Sequence, residues 1–143
     1  MIVSHRHRFL FVKTKKTAGT SLEIALSGIC GPEDVITPIS PPDEAERRRL
    51  GYPGPRNLEP ATSRRGGLEL VRRLRRRDAP RFRNHMPAAG IRRLVPQAVW
   101  DGYFKFCFDR NPWDRAVSLY HWLGGERNPS SRSKLRRPRE IRK

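Results

Sequence analysis

Residues 9 to 26, Phe-Leu-Phe-Val-Lys-Thr-Lys-Lys-Thr-Ala-Gly-Thr-Ser-Leu-Glu-Ile-Ala-Leu, constrain the chain more than any other stretch. The run Phe9 to Val12 has the length and the aromatic and β-branched content of a buried strand, and a lysine-rich turn follows it at once. A helix then begins. Thr20 and Glu23 fit a capping box, and Leu22, Ala25, Leu26 and Ile29 recur at i, i+3, i+4 and i+7, which predicts one apolar helix face. The first amide groups of a helix lack intrahelical acceptors and sit at the positive end of its dipole, so the loop from Lys13 to Ser21 is a natural seat for an anion. Lys15, Lys16, Thr17, Thr20 and Ser21 add charge and hydroxyl donors, and Gly19 lets backbone come close to a ligand. The plainer alternative is an ordinary capped helix after an ordinary strand.

A second unit of the same kind occurs near the other end. Tyr103-Phe104-Lys105-Phe106-Cys107-Phe108 has the aromatic content of a strand, with Cys107 expected in the core. In the following Asp109-Arg110-Asn111-Pro112-Trp113-Asp114, the Asn-Pro pair reads as helix N-cap and first helical position, and Asp114 lies near the positive end of the dipole. Trp113, Ala116, Val117 and Tyr120 give another i, i+3, i+4, i+7 stripe, and Gly124-Gly125 ends the helix. The guanidinium of Arg110 can hold a phosphate through two parallel hydrogen bonds, and Ser118 sits on the helix that Arg110 precedes. Taken alone, Arg-Asn-Pro-Trp is also compatible with a capped turn and Ser118 with a surface hydroxyl.

At 143 residues and 36% hydrophobic content, one domain with one modest core is expected. Lys and Arg number 31 against 14 Asp and Glu, a net charge of +17 that predicts attraction to polyanions without choosing among nucleic acid, anionic lipid, sulfated sugars and nucleotides. Cys30 and Cys107 are too few for a disulfide framework and lack metal-ligand spacing, so reduced thiols are expected. No segment approaches the roughly 18 apolar residues of a membrane span, and Phe9 to Val12 is too short for a signal-peptide core. These features predict a cytoplasmic protein, and the charge leaves a peripheral membrane association open.

Between the two units the pattern is weaker. Residues 28 to 67 are rich in Gly and Pro and read as a long irregular connection with a short helix over Asp43 to Leu50. A short arginine-rich helix is expected over Leu68 to Arg77. Pro87 suits the first turn of a helix through Leu94, and Pro96 opens another through Asp101. The expected organisation is a domain over 1–123 and a basic, disordered tail over 124–143.

Lys-Thr-Ala-Gly-Thr-Ser after an N-terminal apolar strand resembles the 5′-phosphosulfate loop of sulfotransferases that use 3′-phosphoadenosine 5′-phosphosulfate, in particular the carbohydrate branch. Phe-Asp-Arg-Asn-Pro-Trp-Asp-Arg-Ala-Val-Ser-Leu-Tyr resembles the 3′-phosphate element of the same family, and the two occur in the family's order. No Walker A pattern is present. The resemblance implies a three-layer α/β fold built on a parallel sheet, with P-loop-like nucleotide-binding loops at the carboxyl ends of the strands. It implies transfer of a sulfuryl group from that nucleotide, as co-substrate and without a metal, to a hydroxyl of a carbohydrate acceptor that can itself be anionic. Lys16 would neutralise the leaving phosphate. Lys16, Thr17, Ala18, Gly19, Thr20 and Ser21 would hold the 5′-phosphate, and Arg110 and Ser118 the 3′-phosphate.

His85, in Asn-His-Met-Pro-Ala, stands between the motifs where the family often has a base, and an imidazole near pKa 6.5 suits that task. The alternative is a structural His capping the next helix. The family usually has Pro where this chain has Lys15, and it continues well past the second motif. The chain thus reads as a C-terminally shortened member of bacterial, cytoplasmic type, lacking the membrane anchor of Golgi relatives. Two other functions stay open: an inactive nucleotide-binding remnant, and a small basic nucleic-acid-binding protein supported by the charge, by the arginine runs at Arg47 to Arg49 and Arg72 to Arg77 and by the basic tail, although no specific nucleic-acid signature is present.

Overall fold

The computed structural model describes residues 1–60 and 81–124. The helix expected over 68–77 and the tail over 125–143 lie outside the described residues. The chain divides into two compact units, Met1–Phe108 and Asp109–Lys143.

The first unit is a mixed α/β arrangement around a four-stranded sheet. β1 (Ile2–Ser4), β2 (Phe9–Phe11), β3 (Val35–Ile36) and β4 (Phe104–Phe106) lie in the order β3-β1-β2-β4. β1 pairs antiparallel with both β2 and β3, and only β2 and β4 run parallel. The sheet is therefore not purely parallel as expected. The cause is the hairpin at residues 5–8, which turns the chain back within four residues, far too few for a parallel crossover. Asp34 fixes that hairpin by accepting the hydroxyl of Ser4 (2.8 Å) and the amides of His5 (2.7 Å), Arg6 (3.1 Å) and Gly31 (2.9 Å).

Strand alternation sends side chains to opposite faces and gives two cores. On one face Ile2, Phe9, Phe11, Cys30 and Ile36 pack with Leu22 and Leu26 of α1 (Gly19–Ser27). On the other, Met1, Val3, Leu10 and Val35 pack with Phe82, Ile91 and Val95, the last two in and just after α3 (Ala88–Arg92). Val99 and Trp100 of α4 (Gln97–Gly102) join that second cluster. Pro87 and Pro96 stand at the N-cap positions of α3 and α4.

The connection holds the expected short helix, α2 (Pro41–Arg49), and also β3, which was not expected, and Ile36 bridges to Arg56. Its many prolines mask an edge strand of two residues, too short to show a period. In α2, Asp43 and Glu44 occupy the first turn and Arg47 to Arg49 the last, which complements the helix dipole.

β4 is an edge strand among the described residues. Cys107, expected in the core, is exposed, because no further strand or helix among the described residues of this unit covers that edge. Phe106 is the contact of β4 with the sheet interior, its ring 5.7 Å from Phe9 and 5.5 Å from Phe11. Phe104 remains 71% exposed.

In the second unit α5 (Pro112–Gly124) follows Asn111, whose side-chain oxygen accepts the Trp113 amide at 3.0 Å. The Asn-Pro start is thus formed as predicted. The apolar stripe Trp113, Ala116, Val117 and Tyr120 is exposed on the helix, not buried.

Candidate anion-binding site

The loop between β2 and α1 begins where Val12 still donates to Phe106 O of the neighbouring parallel strand, at 2.9 Å. Lys13 then turns inward. Only 3% of it is exposed, and its ammonium meets Glu23 Oε2 at 2.9 Å in the interior. Lys13 therefore serves the core, although it belongs to the stretch expected to form the anion seat.

Glu23 is not half of a capping box. Its carboxylate is wholly buried and also meets the Met1 amine at 2.9 Å and the hydroxyl of Thr37 at 2.9 Å, with Arg47 Nη2 at 3.7 Å. Arg47 is itself buried and paired with Glu44 at 3.0 Å. A carboxylate that can satisfy several buried cations gains more from them than from one exposed amide. This recruitment rotates α1. Its buried side is Glu23, Ile24 and Ser27, Leu22 and Leu26 are half-buried, and Ala25 and Ile29 of the expected apolar face are exposed. Burial lowers the Met1 amine to about pKa 6, with Glu23 opposing the shift.

The helix starts without a side-chain cap. Its N-cap, Ala18, has left-handed backbone (φ 58°), as does Lys16 (φ 63°). Left-handed conformation costs an L-residue with a Cβ about 1 kcal/mol, so the loop holds two such costs in three residues. The same alternation turns successive amides toward one side, the arrangement that receives anions, and the opening amides of α1 at Gly19, Thr20 and Ser21 add to it. Lys15, Ala18 and Ser21 are exposed, Lys16 and Thr20 half-buried.

Gly19 has another reason than close approach of a ligand. A Cβ there would lie 2.8 Å from Lys13 Cγ and 3.3 Å from Thr14 O, so the glycine makes room for the inward lysine. Thr17 is buried and its hydroxyl lies 2.7 Å from that of Thr14, which donates to Phe108 O at 2.6 Å. Thr17 thus holds the loop together, and Thr14, not singled out in the sequence, ties the loop to the end of β4.

His85 is brought to this loop. Its Nδ1 lies 3.3 Å from Lys13 O. A carbonyl accepts, so Nδ1 carries the proton and Nε2 keeps its lone pair. Burial lowers the imidazole pKa below its ordinary value, and the nearby positive charge of Lys13, with the Met1 amine and Lys15, lowers it further against the Lys13 carbonyl contact. The imidazole is therefore neutral near pH 7. It does not cap α3, whose N-cap is Pro87.

Arg110 and Ser118 belong to the second unit. Arg110 is exposed just ahead of α5, where its amide donates to Asp109 Oδ1 at 2.8 Å, and Ser118 is half-buried two turns into the helix. Among the described residues no three His, Cys, Asp or Glu side chains gather as a metal site. Burial, reinforced by Asp34, pushes the Cys30 thiol up to about 12, so it is no nucleophile. A cleft of about 130 Å³ lined by residues including Val3, His5, Glu33, Asn57 and Glu59 contains none of the predicted site residues. No helix among the described residues is long and apolar enough to cross a membrane.

No protein-family model and no solved structure matches the chain. A protein of Archaeoglobus fulgidus described as uncharacterized is 54% identical over 35 residues, which is 24% of this chain and 29% of that protein. The chain thus spans under a third of the length of the relative it matches.

Proposed function

We propose that the chain is a sulfotransferase-like nucleotide-binding protein, which transfers a sulfuryl group from 3′-phosphoadenosine 5′-phosphosulfate to a hydroxyl, in the first instance of a carbohydrate. The observation that carries this reading is the β2–α1 loop. Left-handed Lys16 and Ala18 and the open start of α1 form an anion-receiving turn, and a neutral imidazole stands on the same loop. Parallel β2 and β4 support it further, because the two motif loops then leave the sheet at the same edge. In the finer form of this reading the sheet with helices on both faces is the middle of a three-layer fold with P-loop-like loops, and the family is that of the carbohydrate sulfotransferases.

The step is an in-line displacement at sulfur. The hydroxyl oxygen forms the new S–O bond while the bond from sulfur to the 5′-phosphate oxygen breaks, and the acceptor proton passes to Nε2 of His85. Lys16 neutralises charge growing on the leaving phosphate, and amides from Thr17 to Ser21 bind its oxygens. Arg110 and Ser118 hold the 3′-phosphate. No acidic group is needed beside the transferred sulfuryl.

The second reading, a basic nucleic-acid-binding protein, rests on the net charge of +17. It is weakened at the first arginine run, where Arg47 is buried against Glu44 and Glu23, and Arg49 is paired with Glu46 at 2.7 Å. Calorimetric titration with 3′-phosphoadenosine 5′-phosphate, beside 5′-AMP and an Arg110→Ala variant at moderate salt, separates the readings. Binding that needs both the 3′-phosphate and Arg110 supports the first. Equal, salt-sensitive binding of both nucleotides and of oligonucleotides overturns it.

A further inference from the structure

The cleft of about 130 Å³ lies on the α3 side of the sheet, away from the β2–α1 loop. Its floor is apolar: Val3, Val35, Phe82 and Val95 are buried and belong to the core beneath. Its rim is polar, with Glu33 and Glu59 exposed and His5 and Asn57 half-buried. An apolar floor with a few polar groups at the mouth is the make-up of a small-molecule site. In size it approaches an apolar cavity of about 150 Å³, which takes one benzene-sized molecule.

The walls are fixed by their own bonds. Asn57, in left-handed conformation (φ 53°), donates Nδ2 to Pro32 O at 2.8 Å and to Asp34 O at 3.0 Å, which locks the segment carrying Glu59 to the turn carrying Glu33. Ile36 and Arg56 exchange backbone hydrogen bonds of 3.2 and 3.0 Å, and the Phe82 amide donates to Leu58 O at 2.8 Å. His5 is held by the Tyr103 hydroxyl, 3.0 Å from Nδ1, with the two rings edge to face. A cleft built before its ligand arrives spends little on ordering when the ligand binds.

Charge gives the sign of that ligand. The chain carries +17, yet none of the residues lining the cleft is Lys or Arg. Glu23, Glu44 and Glu46 each meet a cation and Asp34 accepts four hydrogen bonds, whereas Glu33 and Glu59 form neither an ion pair nor a hydrogen bond among the described residues. In a chain with 31 Lys and Arg against 14 Asp and Glu, two unpaired carboxylates thus stand at one apolar cleft. A phosphate or sulfate would meet like charge there. An ammonium would meet two acceptors and leave its stem on the floor.

We infer that this cleft binds a primary amine on a short apolar stem, as a free amine or as the lysine side chain of a polypeptide, with the ammonium held by Glu33 and Glu59 and the stem on Val3, Val35 and Phe82. None of the residues assigned to sulfuryl transfer lines the cleft, so the inference stands apart from that reading.

The test is titration of the full chain, labelled with nitrogen-15 and followed by amide NMR shifts, with butylamine, 1-butanol, butyrate and Nα-acetyl-lysine methylamide. Butylamine is expected to shift the amides of His5, Glu33, Asn57, Glu59 and Phe82 saturably and to bind roughly tenfold more tightly than butanol, with butyrate leaving these amides unmoved. A Glu33→Gln, Glu59→Gln variant should lose that advantage, and both side chains are exposed, so the fold is expected to survive the change. The comparison of amine with alcohol on the unmodified protein reads the need for charge without any variant. Equal affinity for butylamine and the lysine derivative assigns a free amine, and a several-fold preference for the derivative assigns a lysine side chain. Absence of shifts at these amides overturns the inference. So does equal binding of butanol, which would make the cleft an apolar pocket only, and so does butylamine binding that the double variant retains.

Discussion

The β2–α1 and β4–α5 units share an order of elements and are supported in opposite ways. The first is held from beneath: Glu23 gathers Lys13, Arg47, Thr37 and the Met1 amine in the interior, and the helix above begins at an uncapped, left-handed alanine. The second is held by its own sequence: Asn111 caps α5, Pro112 opens it, and Arg115 reaches Asp109 at 3.8 Å. A loop that keeps strained backbone at Lys16 and Ala18 must draw its rigidity from elsewhere. A helix that satisfies its own end needs no such base.

The sharpest way to break this contrast is Glu23→Ala. Removing the carboxylate leaves buried cations without a partner, and we expect a loss of about 3–5 kcal/mol in urea unfolding. A loss below about 1 kcal/mol would show that the cluster does not support the loop. Gly19→Ala probes the same support from above: a Cβ at 2.8 Å from Lys13 Cγ should displace the loop and destabilise by about 1–3 kcal/mol in urea unfolding. Retained stability would mean that Lys13 moves aside at no cost.

At the other unit, Asn111→Ala should cost about 1 kcal/mol, seen as reduced helicity in circular dichroism. A loss as large as that of Glu23→Ala would erase the distinction between the two units. The smallest effect is the pH response of His85. Its folded pKa lies below the ordinary 6.5, so as pH falls below that value the unfolded chain takes up a proton before the folded one. Stability should fall as pH falls through this window and be regained above it, and the His85→Asn variant should lack that component. Titration of the imidazole by NMR checks the direction, and a midpoint above 6.5 contradicts it.

The contrast also explains what could be read from residues alone. α5 was legible because Asn-Pro and an aromatic stripe are local signals, although its stripe faces outward. β2 and β4 were legible from their aromatic runs. Glu23 was misread because its partners come from positions 1, 13, 37 and 47, and no spacing along the chain brings those together. The mistaken helix face follows from the same cause. β1 and β3, with three residues and two, are too short for a period to show, and their order depends on Asp34 fixing the hairpin. Of the candidate site, the sequence singles out the lysine-rich loop and His85 separately, and the contact between them depends on Lys13 O, a backbone atom that no motif describes.

The tie from Thr14 to Phe108 has a consequence for the order of folding. It closes 94 positions of chain, whereas Ile2 meets Phe11 across a short hairpin. A closure roughly ten times longer costs about 2 kcal/mol more entropy before any contact offsets it. The hairpin and α1 can therefore assemble early, while the β2–α1 loop acquires its second anchor only when β4 joins the sheet, among the slowest kinds of pairing. During synthesis, the final form of this loop would arise late, once residues 104–108 are free to pair.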